Sequence, residues 1–168
     1  KINRVVFPGV GSFDYGMKLI RSSDIFDNLS RFVTEKKMPF MGICLGMQLI
    51  FEGSDEGKSK GLCWLKGEFK KFIPKDKLSI PHIGWNKVKI INEGKLLEDL
   101  GKENFFYFVH SFFLEKKNYE NFNSLSFCNY INEFISSFEI ENIFCCQFHP
   151  EKSQMSGLKL VSNFLNVK

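Results

Sequence analysis

No alanine occurs among the 168 residues, no two cysteines have CxxC spacing, and no apolar run approaches the roughly 18 residues that a membrane-spanning helix requires. The last absence excludes a span from this sequence, and no membrane partner is expected. The second, together with an odd set of cysteines (Cys44, Cys63, Cys128, Cys145, Cys146), argues against a disulfide framework or a zinc knuckle. No secretion signal is visible, and free thiols without one suggest a reducing, cytoplasmic setting. A GxxxxGK[ST] phosphate loop is missing as well. What is abundant is Lys, Asn, Ile and Phe, a bias of coding nucleotides that says little about partners.

Disorder is excluded by the balance of 43% hydrophobic against 25% charged residues. A chain of this length is most simply one domain, residues 1–168, and it buries about 70% of its unfolded surface. Net charge is only +4. The longest basic stretch, Lys66 to Lys77, is interrupted by Glu68, Phe69, Phe72 and Asp76, so it reads as a solvated face rather than a nucleic-acid surface.

The order of elements suggests an α/β fold. Val5-Val6-Phe7 is a short strand that ends at Pro8-Gly9-Val10-Gly11. Tyr15 to Ile20 and Ile25 to Val33 carry apolar residues at helical spacing. Pro39 to Ile43 is a strand apolar on both faces, as the centre of a parallel sheet requires, and it runs into a helix from Leu45 to Phe51. Further strands are expected at Leu65 to Ile73, Asn86 to Ile91, Phe105 to Val109 and Leu125 to Tyr130, with a brief helix at Lys95 to Leu100. The end returns to α/β form, with a strand from Ile143 to Phe148 and a helix from Met155 to Leu165. The expected architecture is a mixed, mostly parallel sheet flanked by helices, with an antiparallel insertion in its second half.

Gly42-Ile43-Cys44-Leu45-Gly46 puts a cysteine between a buried strand and a helix, with glycine two residues to either side. This is the pattern of a nucleophile elbow: the sharp turn strains the nucleophile's backbone, and flanking side chains would collide. Backbone N–H groups at the helix start would then favour the thiolate. A buried structural cysteine between packing glycines fits the same pattern. His149-Pro150-Glu151 supplies a base. Pro150 biases His149 to extended backbone, where Glu151 projects to the same side and can orient the ring. A loop histidine capping the helix that starts near Ser153 is the competing reading. Both motifs end predicted parallel strands, the edge where open α/β sheets place their sites. An oxyanion hole would take the Leu45 N–H and a second donor from the Gly9-Val10 peptide.

Five ordered segments then carry a resemblance. They are Pro8-Gly9-Val10-Gly11-Ser12-Phe13, Gly42-Ile43-Cys44-Leu45-Gly46-Met47-Gln48, Pro81-His82-Ile83-Gly84-Trp85, Tyr107-Phe108-Val109-His110-Ser111 and Gln147-Phe148-His149-Pro150-Glu151-Lys152-Ser153. Together they resemble class I glutamine amidotransferases, and among these most nearly the glutaminase subunits of imidazole glycerol phosphate synthases. The resemblance covers essentially the whole chain. It implies a flavodoxin-like fold, no cofactor and no metal, and hydrolysis of L-glutamine by Cys44, His149 and Glu151 through a glutamyl thioester. It implies Gly9, Val10 and Leu45 as oxyanion donors, and Gln48, Tyr107, His110 and Ser111 around the substrate. Trp85, Tyr107 and Lys152 would face a (β/α)8-barrel cyclase, forming a heterodimer that takes the ammonia. His110 and His82 read as packing or hydrogen-bonding residues rather than catalysts, and Cys145 and Cys146, adjacent on a strand, point to opposite faces. Family members usually begin with a strand and helix before the Pro-Gly-Val-Gly segment, so that opening is expected to be lacking here. Two other readings remain: the same glutaminase feeding another acceptor, such as amidination of a surface-sugar precursor, and a non-catalytic regulatory subunit of this fold.

Overall fold

The computed structural model describes residues 2–75, 78–116 and 122–168; Asp76 and Lys77, which end the basic stretch, lie outside them. The chain opens with strand β1 (Val5–Gly9), then helices α1 (Phe13–Arg21) and α2 (Ile25–Ser30), the latter continuing as a π-turn through Glu35. Strand β2 (Phe40–Cys44) leads directly into α3 (Leu45–Leu49). Next come β3 (Gly53–Ser54), β4 (Glu68–Lys71), β5 (His82–Asn92), β6 (Glu103–His110), β7 (Phe112–Leu114), β8 (Ser124–Asn129), β9 (Glu133–Ile140) and β10 (Ile143–Cys146). A 3-10 turn (Pro150–Lys152) and α4 (Gln154–Leu165) close the fold. No helix among the described residues is long and apolar enough to cross a membrane.

Seven strands form one sheet in the order β1-β2-β10-β9-β8-β5-β6. β2 is parallel to both β1 and β10, and every other pair is antiparallel. The mixed class is as expected, but the parallel share is smaller than the sequence suggested. Helical crossovers follow only β1 and β2; short turns join β8 to β9 and β9 to β10, and a tight reversal dictates antiparallel pairing. The antiparallel half is therefore part of the main sheet rather than an insertion beside it. A second, small sheet (β3-β4-β7) packs against the main one, with Phe69 and Leu114 in the layer that holds Phe40 and Phe138.

β2 is buried along its whole length because apolar layers cover both faces. On one side Met41, Ile43 and Phe144 pack with Leu160 and Phe164 of α4. On the other Phe40 and Phe138 pack with Leu29, Val33, Met47 and Ile50. α1 adds Phe13, Met17 and Ile20 against Leu45 and Leu49 of α3. Cys145 and Cys146 fall in opposite layers, as alternation along a strand requires.

Four elements depart from expectation: the short strands β3 and β7 and the longer β9 lie outside the expected set, and one expected helix is missing. Residues 95–100 form turns, not a helix. Gly94 and Asp99 both take left-handed backbone, and the buried Glu139 carboxylate accepts from the Lys95 and Leu96 amides at 2.7 and 3.0 Å, replacing helical bonds. β9 is masked in the sequence because Ser136 and Ser137 at its centre resemble turn residues. Both are fully buried, with their hydroxyls 2.8 and 2.6 Å from that of Ser126, so the core tolerates them.

Candidate active site

Cys44 ends β2 with φ 51 and ψ −108, a left-handed backbone that an L-residue adopts only under constraint. The constraint is close packing of α3 on β1. A Cβ on Gly46 would stand 1.9 Å from the carbonyl oxygen of Phe7, so no side chain is tolerated there. The register places Gly9 beside Cys44 across the parallel β1–β2 pair. The loop after β1 therefore stands over the nucleophile, and Val10 and Gly11 line the cleft there.

His149 arrives from the neighbouring β10. Its backbone is extended, as Pro150 predicts, and the ring is nearly buried. Nδ1 lies 2.7 Å from Glu151 Oε1. The turn is held from both ends: His149 N donates to Tyr107 O at 2.8 Å, and the Ser153 hydroxyl donates to His149 O at 2.6 Å while accepting from Tyr107 N at 3.0 Å. α4 seats on it through Gly157, where a Cβ would stand 1.9 Å from Pro150 O.

Cys44 and His149 line one cleft of about 300 Å³, within the range of small-ligand sites. Its walls include Val10, Leu45, Gln48, His110, Ser111 and Lys152, so most of the expected residues converge. Glu56, which sequence reasoning passed over, is the carboxylate among the lining residues. One of its oxygens accepts from Phe13 N at 2.8 Å. No motif marks Glu56; its position depends on the loop after β3.

The expected thiolate is not what the structure favours. Burial pushes the Cys44 thiol up to about 12, against the Leu45 N–H, which pulls it down; Glu151 and Glu56 add to the rise and Gln147 opposes it. α3 has only five residues, too little dipole to outweigh desolvation. The thiol donates to Val109 O at 3.7 Å and accepts from Gln147 Nε2 at 3.6 Å. Gln147, two residues before His149, bridges distant segments through its contacts with Gln48 and Cys44.

His110 lines the cleft, yet both of its ring nitrogens face the protein: Nδ1 meets Phe112 O at 2.8 Å and Nε2 meets His82 Nδ1 at 3.0 Å. The Nδ1–H must donate to that carbonyl, so Nε2 accepts and His82 Nδ1 donates. His82 in turn stacks on Phe108 and Tyr130 and sits 3.1 Å from Asn86 Nδ2. Burial depresses His82 to about 4 and His110 to about 3, keeping both neutral.

Trp85 and Tyr107 face each other across the β5–β6 register, rings 6.1 Å apart and edge to face, and Lys152 Nζ lies 5.6 Å over the Tyr107 ring. Trp85 is 46% exposed, and Ile83 and Phe105 on the same face are also exposed. This apolar strip borders the cleft.

The family model for glutamine amidotransferase class-I matches residues 3–167. The imidazole glycerol phosphate synthase subunit HisH 2 of Methanococcus maripaludis is 42% identical over 165 residues, covering 98% of this chain and 81% of that protein. The corresponding HisH subunit of Leptospira interrogans is 41% identical over 167 residues, with the same coverage. Among solved structures, the glutaminase domain of Trypanosoma brucei CTPS with bound acivicin superposes with a TM-score of 0.64 at 13% identity, over 99% of this chain and 72% of that one, a likeness of fold.

Proposed function

The chain belongs to the class I glutamine amidotransferase family, and from that premise we propose that it is the glutaminase subunit of an imidazole glycerol phosphate synthase, acting in histidine biosynthesis with a cyclase partner. The observation that carries this reading is the meeting of Cys44 and His149 in one cleft, in a chain 42% identical to a HisH subunit over 98% of its length.

The chemistry follows from the side chains. Glutamine enters with its α-ammonium opposite Glu56 and its carboxamide at Cys44, beside Gln48 and Ser111; Tyr107, expected around the substrate, is not among the cleft's lining residues and faces Trp85 and Lys152 instead. Glu151 occupies His149 Nδ1, which leaves Nε2 to act as the base. Because the resting thiol is neutral, its proton passes to His149 as sulfur attacks the carboxamide carbon. The Leu45 N–H and the Gly9-Val10 peptide meet the developing oxyanion, each donor contributing about 3 kcal/mol. His149 returns the proton to the leaving nitrogen, and ammonia departs from a Cys44 glutamyl thioester. Water, deprotonated by His149, then attacks the thioester carbon; the C–S bond breaks, glutamate leaves and sulfur is reprotonated. The balance is glutamine plus water to glutamate plus ammonia.

Free ammonia is largely protonated at neutral pH and diffuses away. The apolar strip of Trp85 and Tyr107, with Lys152, suits docking to a (β/α)8-barrel cyclase that receives it directly. A neutral, buried nucleophile also suits a subunit that idles alone. The test is glutamine hydrolysis by the chain with and without that partner and the partner's substrate, together with glutamine-dependent product formation. A rise of about tenfold or more on assembly is expected; equal rates, or no product, would contradict the reading.

A further inference from the structure

Gln147 is fully buried, and an amide taken out of water needs partners for both its carbonyl and its NH2. Among the described residues its side chain has two. Gln48 Nε2 donates to Gln147 Oε1 at 3.2 Å, and Gln147 Nε2 donates to Cys44 Sγ at 3.6 Å. The surroundings dictate which end of the amide faces which neighbour. Val109 O can only accept, so the thiol hydrogen points to it. Sulfur then offers lone pairs to Gln147, which must present its NH2, and its carbonyl is left to face the Gln48 NH2. One directed chain runs from Gln48 to the nucleophile.

On ionisation the two contacts at sulfur diverge. The Val109 carbonyl becomes an acceptor dipole facing a negative charge. The Gln147 NH2 remains a donor, and its bond strengthens as the acceptor becomes charged. We propose that Gln147 is a catalytic residue of this site: its carboxamide donates to Cys44 sulfur and, with the Leu45 N–H, stabilises the thiolate as it attacks and again as it leaves the thioester. Gln48 holds the amide in the donating orientation, so a wall of the substrate cleft and the nucleophile share one hydrogen-bond chain. This rests on reading Cys44 as the nucleophile. No oxidant or co-reactant is needed, since Gln147 exchanges no atoms.

The test compares wild type with Gln147→Met, which removes the donor at similar volume, and Gln147→Glu, which keeps the shape if the first variant fails to fold. Iodoacetamide alkylation is followed between pH 8 and 10.5 by peptide mass spectrometry on the full chain. Exposed Cys63 in the same molecule serves as the internal reference. Cys44 alkylation is expected to slow about three- to tenfold relative to Cys63, the lost thiolate fraction being partly offset by higher nucleophilicity. In the assembled enzyme kcat for glutamine should fall about tenfold or more, with KM within about threefold. Folded variants with an unchanged Cys44-to-Cys63 ratio and intact kcat would overturn the assignment. The alkylation arm needs no turnover. A chain inert toward glutamine, in which Cys44 reactivity still tracks Gln147, would overturn the proposed function and support the Gln147–sulfur contact.

Discussion

Glu151 Oε1 stands 2.7 Å from His149 Nδ1, within a turn that carries the ring into the cleft and leaves the carboxylate half exposed. The extended backbone of His149, followed at once by the 3-10 turn Pro150–Lys152, brings them together. The contact assigns each ring nitrogen a task, and it makes the first prediction. Glu151→Gln keeps the shape but can hold the wrong tautomer, so kcat should fall about 100-fold, less than for a buried orienting acid, with KM little changed. Steady-state glutaminase kinetics of the assembled enzyme check it.

Cys44→Ala removes the attacking sulfur and should lower glutamine hydrolysis by at least about 1,000-fold. Cys63→Ser changes an exposed thiol outside the cleft and should leave turnover within about twofold. Parallel assays of the two variants separate the nucleophile from general thiol loss.

Gly157→Ala forces a methyl group against the Pro150 carbonyl, where the gap is 1.9 Å. The expected loss is about 2 kcal/mol of stability, read from the denaturant midpoint. Because the clash lies under the turn that carries His149, kcat should fall more than KM rises.

Acid stability carries a signature of the buried histidine pair. Both are depressed in the folded chain, His82 to about 4 and His110 to about 3, from 6.5. The unfolded chain therefore binds more protons below pH 6.5. Their stabilising contribution is present in full above that pH and is lost as pH falls toward 4 and 3. Each histidine adds a slope of up to about 1.4 kcal/mol per pH unit. Denaturant midpoints at pH 7, 5.5 and 4.5 should decline in order, and a flat profile would contradict the neutral pair.

Trp85→Ala should weaken partner binding about tenfold or more while leaving hydrolysis by the free chain within about twofold, since the ring is 46% exposed and outside the cleft lining. Titration calorimetry against the cyclase checks it.

The parts of the site legible in the sequence are those that local sterics control. Gly42-Ile43-Cys44-Leu45-Gly46 announces its turn because Gly46 meets Phe7 O at a distance no side chain survives, and Pro150 sets the backbone of His149. The parts that were not legible depend on long-range contacts. Gln48 meets Gln147 across 99 residues of chain, and no spacing rule marks the pair. The protonation of Cys44 follows from burial by the assembled core, which outweighs the local helix start that suggested a thiolate. β9 is not legible for a similar reason: Ser136 and Ser137 are core-compatible only because Ser126 lies opposite. The expected helix at Lys95 to Leu100 gave way to turns whose amides bond Glu139, a strand residue over 40 positions away.

The most direct measurement is acid quenching of the assembled enzyme during turnover with glutamine, followed by mass spectrometry of its peptides. The Cys44 peptide should gain one glutamyl group, absent in Cys44→Ala. Continued turnover with no adduct on Cys44, or an adduct on another residue, would contradict the account.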